Sequence, residues 1–197
     1  MNHILVVGED ALCCALGQRL VQACLPRWQL ALPPIDTKGV TKLRAALPRY
    51  IELAQHVQPV LCIADTDGQC PVQLAQQWLP KTASRRLLLR LAVSEAESWA
   101  LADAAAFASL FAVPLNKIPR KPDDVTDAKG AVLGLAKRSQ KRVIRDEMIS
   151  PFDSTKPGSG YNLHLCSFVT THWDAGNAAA NSPSLRRAMS RLKAMAD

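Results

Sequence analysis

The amino-acid sequence predicts an α/β fold: a parallel four-stranded sheet flanked by helices, followed by an added helical region. Three observations support this prediction. Four short apolar runs have the length of buried strands, stretches with helical spacing of apolar residues separate them, and only helical spacing follows after about residue 96. Strands that alternate with helices are typical of a parallel sheet covered by helices on both faces.

The strands and helices of the first half are each indicated by a local pattern. The predicted strands are the apolar runs at residues 3–7, 28–35, 59–64 and 86–93. The predicted helices between them are residues 12–25, 39–56 and 72–79. Prolines mark several boundaries: Pro26 ends the first helix, and Pro33 and Pro34 interrupt the second strand. Pro71 fits the first turn of the third helix, whereas Pro48 predicts a kink or break in the second.

The second half is predicted to be helical and to pack on the first. Helical spacing occurs at residues 96–112, 128–149, 161–173 and 183–195. The connections that follow residues 112 and 149 are rich in loop-forming residues such as proline. We therefore expect two units, an α/β core of residues 1–103 and a helical C-terminal extension of residues 104–197.

The composition argues against several classes of protein. No stretch approaches the roughly 18 apolar residues of a transmembrane helix, and the N-terminus does not have the basic leader of a signal peptide. The six cysteines form no C-x-x-C pair and mostly lie in apolar runs. We expect them to be reduced and to serve as small core residues, which predicts a cytoplasmic protein without a membrane segment.

A net charge of +7 favours binding to polyanions, and the positive excess lies mostly in the second half. Within the predicted helix of residues 128–149, Lys137, Lys141 and Arg145 are spaced four residues apart and would share one face. Together with Lys129 and Arg142 they are candidate contacts to the phosphate backbone of nucleic acid. A solvated helix face without a ligand is the alternative interpretation.

Three pairs of acidic residues follow three of the predicted strands. The pairs are Glu9 with Asp10, Asp65 with Asp67, and Glu95 with Glu97. Because the carboxyl ends of parallel strands meet at one edge of a sheet, we expect these carboxylates to converge. Crowded carboxylates repel one another unless a cation neutralises them, and their hard oxygens suit Mg²⁺ or Mn²⁺. In extended backbone, residues i and i+2 point to one side, so the second and third pairs are each expected to face one metal.

Each pair also has a simpler interpretation. A D-x-D sequence at a strand end is often a solvated turn. The acids after the first strand could cap the helix that follows. The acids after the fourth strand could lie in the first turn of a helix, where residues i and i+2 do not share a face. The convergence of all three pairs on one edge is what favours a binding site.

The order of these acids resembles the plan of Toprim domains, which occur in primases, topoisomerases and the overcoming-lysogenization-defect nucleases. The segments that carry the resemblance are ILVVGEDAL, IADTDGQCP and LAVSEAESWALAD. Outside the shared Toprim core, DAKGAVLGLAKRS, GSGYN, FVTTHWD and SPSLRRAMSRL are similar to a narrower family of small stand-alone bacterial Toprim-like proteins, often found near defence genes. The resemblance covers most of the chain and implies a Toprim-like, Rossmann-like fold.

Residue by residue, the resemblance implies catalytic and metal-binding roles at this edge. Glu9 would be the general acid or base and a possible metal ligand. Asp65 and Asp67 would be catalytic metal ligands. Glu95 and Glu97 match further acids of the narrower family and would complete the metal site.

These expectations define one leading function and two alternatives. The leading function is a Mg²⁺- or Mn²⁺-dependent nuclease that hydrolyses DNA in preference to RNA, as an effector of bacterial antiviral defence. Many Toprim domains have the glutamate immediately before a glycine, where this chain has Val7. A non-catalytic interaction module that acts with a partner ATPase or with nucleic acid is therefore the first alternative. The second is a receiver domain with Asp65 as phospho-acceptor, although no fifth strand ending in lysine is evident. The sequence leaves the oligomeric state open.

Overall fold

The computed structural model describes residues 2–196, so Met1 and Asp197, at the outer ends of the two predicted units, lie outside the described residues. The strands are β1 (Asn2–Gly8), β2 (Trp28–Leu30), β3 (Ile35–Asp36), β4 (Val60–Asp65) and β5 (Leu87–Ala92). The α-helices of the described residues are α1 (Ala11–Cys24), α2 (Val40–His56), α3 (Pro71–Trp78), α4 (Ala96–Ala102), α5 (Ala104–Phe111), α6 (Ala128–Ala136), α7 (Arg142–Met148), α8 (Tyr161–Thr171), α9 (Ala175–Asn181) and α10 (Pro183–Lys193). The prediction of an α/β fold is confirmed.

The sheet is parallel throughout, and its main path runs in the order β2-β1-β4-β5. The fifth strand, β3, pairs with the carboxyl end of β1. The predicted second strand is thus two short strands, one beside each end of β1. Pro33 and Pro34 lie between them, and a proline has no N–H to donate to a ladder. The parallel sheet flanked by helices is confirmed, with five strands in place of four.

Two apolar layers cover the two faces of the sheet. Because side chains alternate along a strand, Leu61 of β4 belongs to one layer and Cys62 to the other. The larger layer contains α1 and the C-terminal helices, including the buried rings of Trp99 and Trp173. The indole N–H of Trp173 donates to the carbonyl of Trp99 at 2.9 Å. The helical second half therefore packs on the α/β half in one continuous buried cluster.

Two of the long helices predicted in the second half are each broken in two. Between α4 and α5, Asp103 caps α5 by accepting from the backbone N–H of Ala106 at 3.4 Å. Between α6 and α7, the hydroxyl of Ser139 donates to the carbonyl of Phe111 at 2.5 Å and accepts from the N–H of Lys141 at 3.0 Å. Side chains that bond to backbone in this way compete with helix continuation. Helical spacing of apolar residues continues across both breaks, which is why the sequence predicted single helices.

Two observed helices differ in smaller ways from the predicted ones. The helix α2 is continuous through Pro48, so no break occurs there. The short helix α9 was not predicted.

Among residues 2–196, no helix has the length and apolarity needed to cross a membrane. All six cysteines are free.

Candidate functional site

The carboxyl edge of the sheet brings three separate segments of the chain together. Glu9 directly follows β1, Asp65 is the last residue of β4, and α4 begins shortly after β5. The strands are in parallel register, with Gly8 beside Ile63 and Asp65 beside Ala92, so their ends lie next to one another. We use the name carboxylate cluster for Glu9, Asp10, Asp65, Glu95 and Glu97.

Glu9 and Asp65 are joined by a direct hydrogen bond. The backbone N–H of Asp65 donates to Oε2 of Glu9 at 3.1 Å, and the backbone N–H of Glu9 donates to Ile63 at 2.9 Å. Desolvation raises the pKa of Glu9, and the nearby charge of Asp67 raises it further. The predicted convergence of the acids after the first and third predicted strands is therefore present in the structure.

Gly8 allows this close approach at the end of β1. A Cβ at this position would lie 2.6 Å from the backbone N of Cys14 and 2.8 Å from the backbone O of Asp10. Both atoms belong to the start of α1, where Asp10 caps the helix by accepting from Cys13 N–H at 2.8 Å. A glycine is required because any side chain would push the helix away from the strand.

Asp65 is the most strongly perturbed carboxyl of the cluster. Its Oδ1 accepts from the backbone N–H of Ala96 at 2.8 Å, at the first turn of α4. Desolvation is the main cause that raises its pKa to about 8, and the charges of Glu97 and Glu9 add to it. A carboxyl with a pKa in this range exchanges its proton near neutral pH, which is a common property of catalytic groups.

Asp67 does not have the extended backbone on which the predicted pairing with Asp65 depended. Its φ of 46° places it in the left-handed region, and its N–H donates to the carbonyl of Ser94 at 3.0 Å. The side chain is exposed. The extended backbone that was assumed for Asp65 and Asp67 is wrong, because the chain turns immediately after β4, although the charge of Asp67 still acts on Glu9.

The extended backbone that was assumed for Glu95 and Glu97 is also wrong, because the helix α4 begins between them. Glu95 is the N-cap of α4, and its Oε2 accepts from the backbone N–H of Lys129 at 2.7 Å. Glu97 lies in the first turn and is only 3% exposed. Its Oε1 accepts from the hydroxyl of Tyr161 at 3.0 Å. The helix start agrees with the alternative interpretation of a first helical turn, and both side chains contact Lys129, Glu95 at the backbone N–H and Glu97 near the ammonium group.

Lys129 provides a positive charge beside these acids. Its Nζ lies 3.8 Å from Oε1 of Glu97, and its side chain is 42% exposed. Desolvation lowers the pKa of Lys129, but Glu97, Glu95 and Asp65 outweigh this effect and leave the pKa raised. Desolvation is also the largest effect on the pKa of Glu97. It raises that pKa, and the charge of Lys129 opposes the rise. Lys129, predicted as a nucleic-acid contact, is thus an internal counter-ion of the carboxylate cluster.

The other predicted nucleic-acid contacts do not lie along one helical face. Lys137 follows α6 and Lys141 precedes α7, so the break around Ser139 separates them. Lys141 Nζ donates to the carbonyl of Leu110 at 2.6 Å, and Arg145 donates to the carbonyl of Ser139. The spacing prediction is wrong because it assumed one continuous helix. Lys137 and Lys141 nevertheless remain exposed.

Two side chains of this basic region make exposed polar contacts with other residues of the chain. Lys137 Nζ lies 3.2 Å from the hydroxyl of Ser154. Arg142 Nε lies 3.0 Å from Oδ2 of Asp146, in an exposed pair one helical turn apart. We use the name basic segment for residues 137–145.

The carboxylate cluster meets the chemical preference of Mg²⁺ or Mn²⁺ in part. Its donors are carboxylate oxygens, which suit both ions. Within residues 2–196, however, no group of three or more His, Cys, Asp or Glu side chains is arranged to hold a metal ion. Mg²⁺ is commonly held by one or two carboxylates together with water and substrate phosphates. Glu9 and Asp65 supply two carboxylates at this edge, which is the number such a site uses, and they do not form a complete protein cage.

Sequence reasoning missed two further members of the site. Tyr161 begins α8 and reaches Glu97 from 64 positions away in the chain. Cys13 is buried in α1, and its Sγ lies 3.9 Å from Oδ1 of Asp65. Burial, followed by the charge of Asp65, raises the pKa of Cys13 well above its usual range, so the thiol is an uncharged neighbour. Tyr161 lies in the GSGYN segment, but no local pattern indicates that it or Cys13 reaches this site, because their contacts depend on how α1 and α8 pack.

The fold and the site define a parallel α/β protein with a partly buried carboxylate cluster at the carboxyl edge of its sheet. A comparison of the chain with protein-family models, curated proteins and solved structures finds no significant match. The resemblance to Toprim proteins therefore rests on the motifs alone.

Proposed function

We propose that the carboxylate cluster is a catalytic site that hydrolyses phosphodiesters of nucleic acid with the help of Mg²⁺ or Mn²⁺. The observation that carries this proposal is the contact between Glu9 and Asp65, which come from different strand ends and meet where the pKa of Asp65 rises to about 8. Perturbed carboxyls that share one site are typical of catalytic centres. The motif resemblance adds the proposal that the protein is a nuclease effector in bacterial antiviral defence.

The side chains of the cluster suit different roles because their surroundings differ. Glu9 and Asp65 would hold the ion, which would polarise a phosphate and lower the pKa of a bound water. Glu9 takes up a proton more readily than an exposed glutamate, because desolvation raises its pKa, and this suits a general acid or base. Lys129 places an ammonium group where it can stabilise negative charge on a phosphate oxygen. Tyr161 and Lys129 hold Glu97 in position.

A cleavage assay with matched variants tests the proposal. The purified protein is incubated with Mn²⁺ and supercoiled plasmid, single-stranded DNA or RNA, alone and with the product of a neighbouring gene. We expect Asp65→Asn and Glu9→Gln to reduce cleavage by at least about 100-fold. The control is Asp146→Asn, which removes an exposed carboxylate on α7. If no preparation shows Mn²⁺-dependent cleavage, the enzymatic proposal is wrong.

A non-catalytic interaction module is the second candidate function, and Lys129 favours it. Its ammonium group already supplies the positive charge that crowded carboxylates need, so the cluster has a built-in substitute for part of the role of a metal. In that case the protein binds its partner ATPase or nucleic acid without Mn²⁺, and Asp65→Asn leaves that binding unchanged. Isothermal titration of the wild-type protein with Mn²⁺ separates the two functions, because only the catalytic one requires a bound ion.

A receiver-like function has less support from the fold. Receivers place a lysine at the end of one further parallel strand, which here would follow β5, and within residues 2–196 no strand follows β5. Lys129 does approach the carboxylates, but it does so from the helix α6. Phosphorylation of Asp65 is therefore not part of the proposed function.

A further inference from the structure

The strand β5 is an edge of the sheet with unpaired backbone groups. The N–H of Val60 donates to the carbonyl of Arg86 at 2.9 Å, and the N–H of Thr66 donates to the carbonyl of Ala92 at 3.1 Å. Because a strand alternates the direction of its peptide groups, the even-numbered residues of β5 face β4, while Leu89 and Leu91 face outward. Among residues 2–196, no strand lies beyond β5, and the outward peptide groups of these two leucines make no hydrogen bond.

A groove of about 1210 Å³ runs along this edge between two helices of different character. On one side, α3 and the residue after it contribute apolar side chains, including Val72, which is 61% exposed, and Leu79. On the other side, α10 contributes Arg187 and Arg191, which are both exposed. The floor is formed by β5 itself. The groove therefore has one mainly apolar wall, in which Gln76 is polar, and one cationic wall.

The positive charges of this groove have no acidic partners. Lys81, Arg90, Arg187 and Arg191 line it, and no Asp or Glu does. None of the four forms a salt bridge with another residue of the described part of the chain. Nε of Arg90 is buried and has no hydrogen-bond partner among the described residues. Burial lowers the pKa of Arg90, and the like charge of Arg191 lowers it further. Unpaired cations held this close favour an anionic ligand.

We propose that this groove binds an extended segment of a partner protein in which acidic and apolar residues alternate, and that the segment adds a strand to β5. Added strands gain main-chain hydrogen bonds from an open sheet edge, and pockets for alternate side chains give specificity. Because side chains of a strand alternate between its two faces, one set would meet Arg187 and Arg191 while the other would meet Val72 and Leu79. The alternation of acidic and apolar residues in the ligand thus matches the cationic wall and the apolar wall of the groove.

Two other occupants fit the groove less well. A nucleic acid offers phosphate acceptors to the cations, but its backbone has no regular row of N–H donors for the outward carbonyls of Leu89 and Leu91. A second copy of this chain that paired through β5 would place Arg90 of each copy along a shared strand edge, where like charges repel. An acidic peptide satisfies both the charge and the backbone groups.

Peptide binding measured by fluorescence anisotropy tests the proposal. The probe is a labelled octapeptide of alternating glutamate and valine, and its control has the same composition with four glutamates followed by four valines. We expect the alternating peptide to bind about tenfold more tightly than the control peptide at low ionic strength. The double variant Arg187→Glu with Arg191→Glu should weaken binding of the alternating peptide by about tenfold or more. Lys42→Glu with Arg49→Glu, which makes the same charge change on exposed positions of α2, should leave it unchanged.

Amide hydrogen exchange provides a second readout that does not depend on charge. Addition of the alternating peptide should slow exchange at Leu89 and Leu91, because their outward N–H groups become hydrogen bonded. Equal binding of both peptides, or competition by oligothymidylate at equal affinity, would show a general polyanion surface and overturn the proposal. A dimer in sedimentation that the Arg187 and Arg191 variant dissociates would assign the groove to a second copy, and would overturn it as well. Neither result bears on cleavage by the carboxylate cluster.

Discussion

The carboxylate cluster and the basic segment hold their charges in contrasting ways. In the cluster, Glu97 is buried, and its carboxylate contacts both Tyr161 and the ammonium group of Lys129. In the basic segment, Lys137 and Arg142 lie in water and contact single polar partners nearby. Charges that are buried together interact strongly because little water screens them, whereas exposed charges are screened. The cluster should therefore respond to substitution and to pH, and the basic segment should respond little.

The largest effect should come from the glycine that brings the cluster together. We expect Gly8→Ala to destabilise the protein by about 2–4 kcal/mol, because the new Cβ would meet backbone atoms of Cys14 and Asp10 below 3.0 Å. Urea unfolding followed by circular dichroism measures the change. The matched control is Gly134→Ala in α6, where nothing lies within 4 Å of the added Cβ and about 0.5–1 kcal/mol of stabilisation is expected. Equal stability of Gly8→Ala and wild type would contradict the close approach.

The next effect is a dependence of stability on pH that comes from Asp65. Its pKa is about 8 in the folded protein, and about 3.9 is usual in an unfolded chain. Between these values the folded state binds more protons, so the free energy of unfolding falls as the pH rises. We expect a loss on the order of 2 kcal/mol between about pH 5 and pH 8, with allowance for partial exposure.

The variant Asp65→Asn should flatten this pH dependence, because its amide does not titrate. Asp146→Asn, on the exposed face of α7, should leave the slope as in wild type. Urea unfolding at a series of pH values gives both slopes. If wild type and Asp65→Asn show the same slope, the carboxyl of Asp65 is not crowded in solution, and the premise of the catalytic proposal fails with it.

The third effect is expected at Lys129, the internal counter-ion of the carboxylate cluster. We expect Lys129→Met to destabilise the protein by about 1–3 kcal/mol, because it leaves the buried carboxylate of Glu97 without its cation. The lower part of this range allows for the partial exposure of Lys129. The double variant Lys129→Met with Glu97→Gln should recover part of the loss, since a neutral amide can still accept from Tyr161. A double-mutant cycle in urea measures the coupling, and additive losses would show that the pair does not interact.

The two regions also differ in how well the sequence predicted them. The convergence of Glu9 and Asp65 followed from strand order alone, because every parallel strand of a sheet ends at the same edge. The shared face of Lys137 and Arg145 required a continuous helix, but the helix breaks at Ser139, whose buried hydroxyl bonds to backbone. Apolar periodicity reports which residues face the core, and it continues across a helix break.

The finer geometry of the cluster was beyond prediction for a related reason. The pairing of Asp65 with Asp67 assumed extended backbone, but the positive φ of Asp67 begins a turn. The roles of Lys129 and Tyr161 depend on the packing of α6 and α8 against α4, which no local pattern encodes. The sequence thus predicted which residues come together at the strand ends. The direction in which each side chain points was not.

The smallest effect is expected at the exposed ion pair of the basic segment. Arg142→Ala should change stability by less than about 0.5 kcal/mol, because the pair with Asp146 lies in water and its attraction is screened. Salt should reduce even this value, since screening strengthens with ionic strength. Urea unfolding of Arg142→Ala and Lys129→Met in parallel compares a short exposed salt bridge of 3.0 Å with a longer one of 3.8 Å whose acid is buried. Equal losses in the two variants would mean that burial of Glu97 does not strengthen its contact with Lys129, and the contrast between the two regions would not hold.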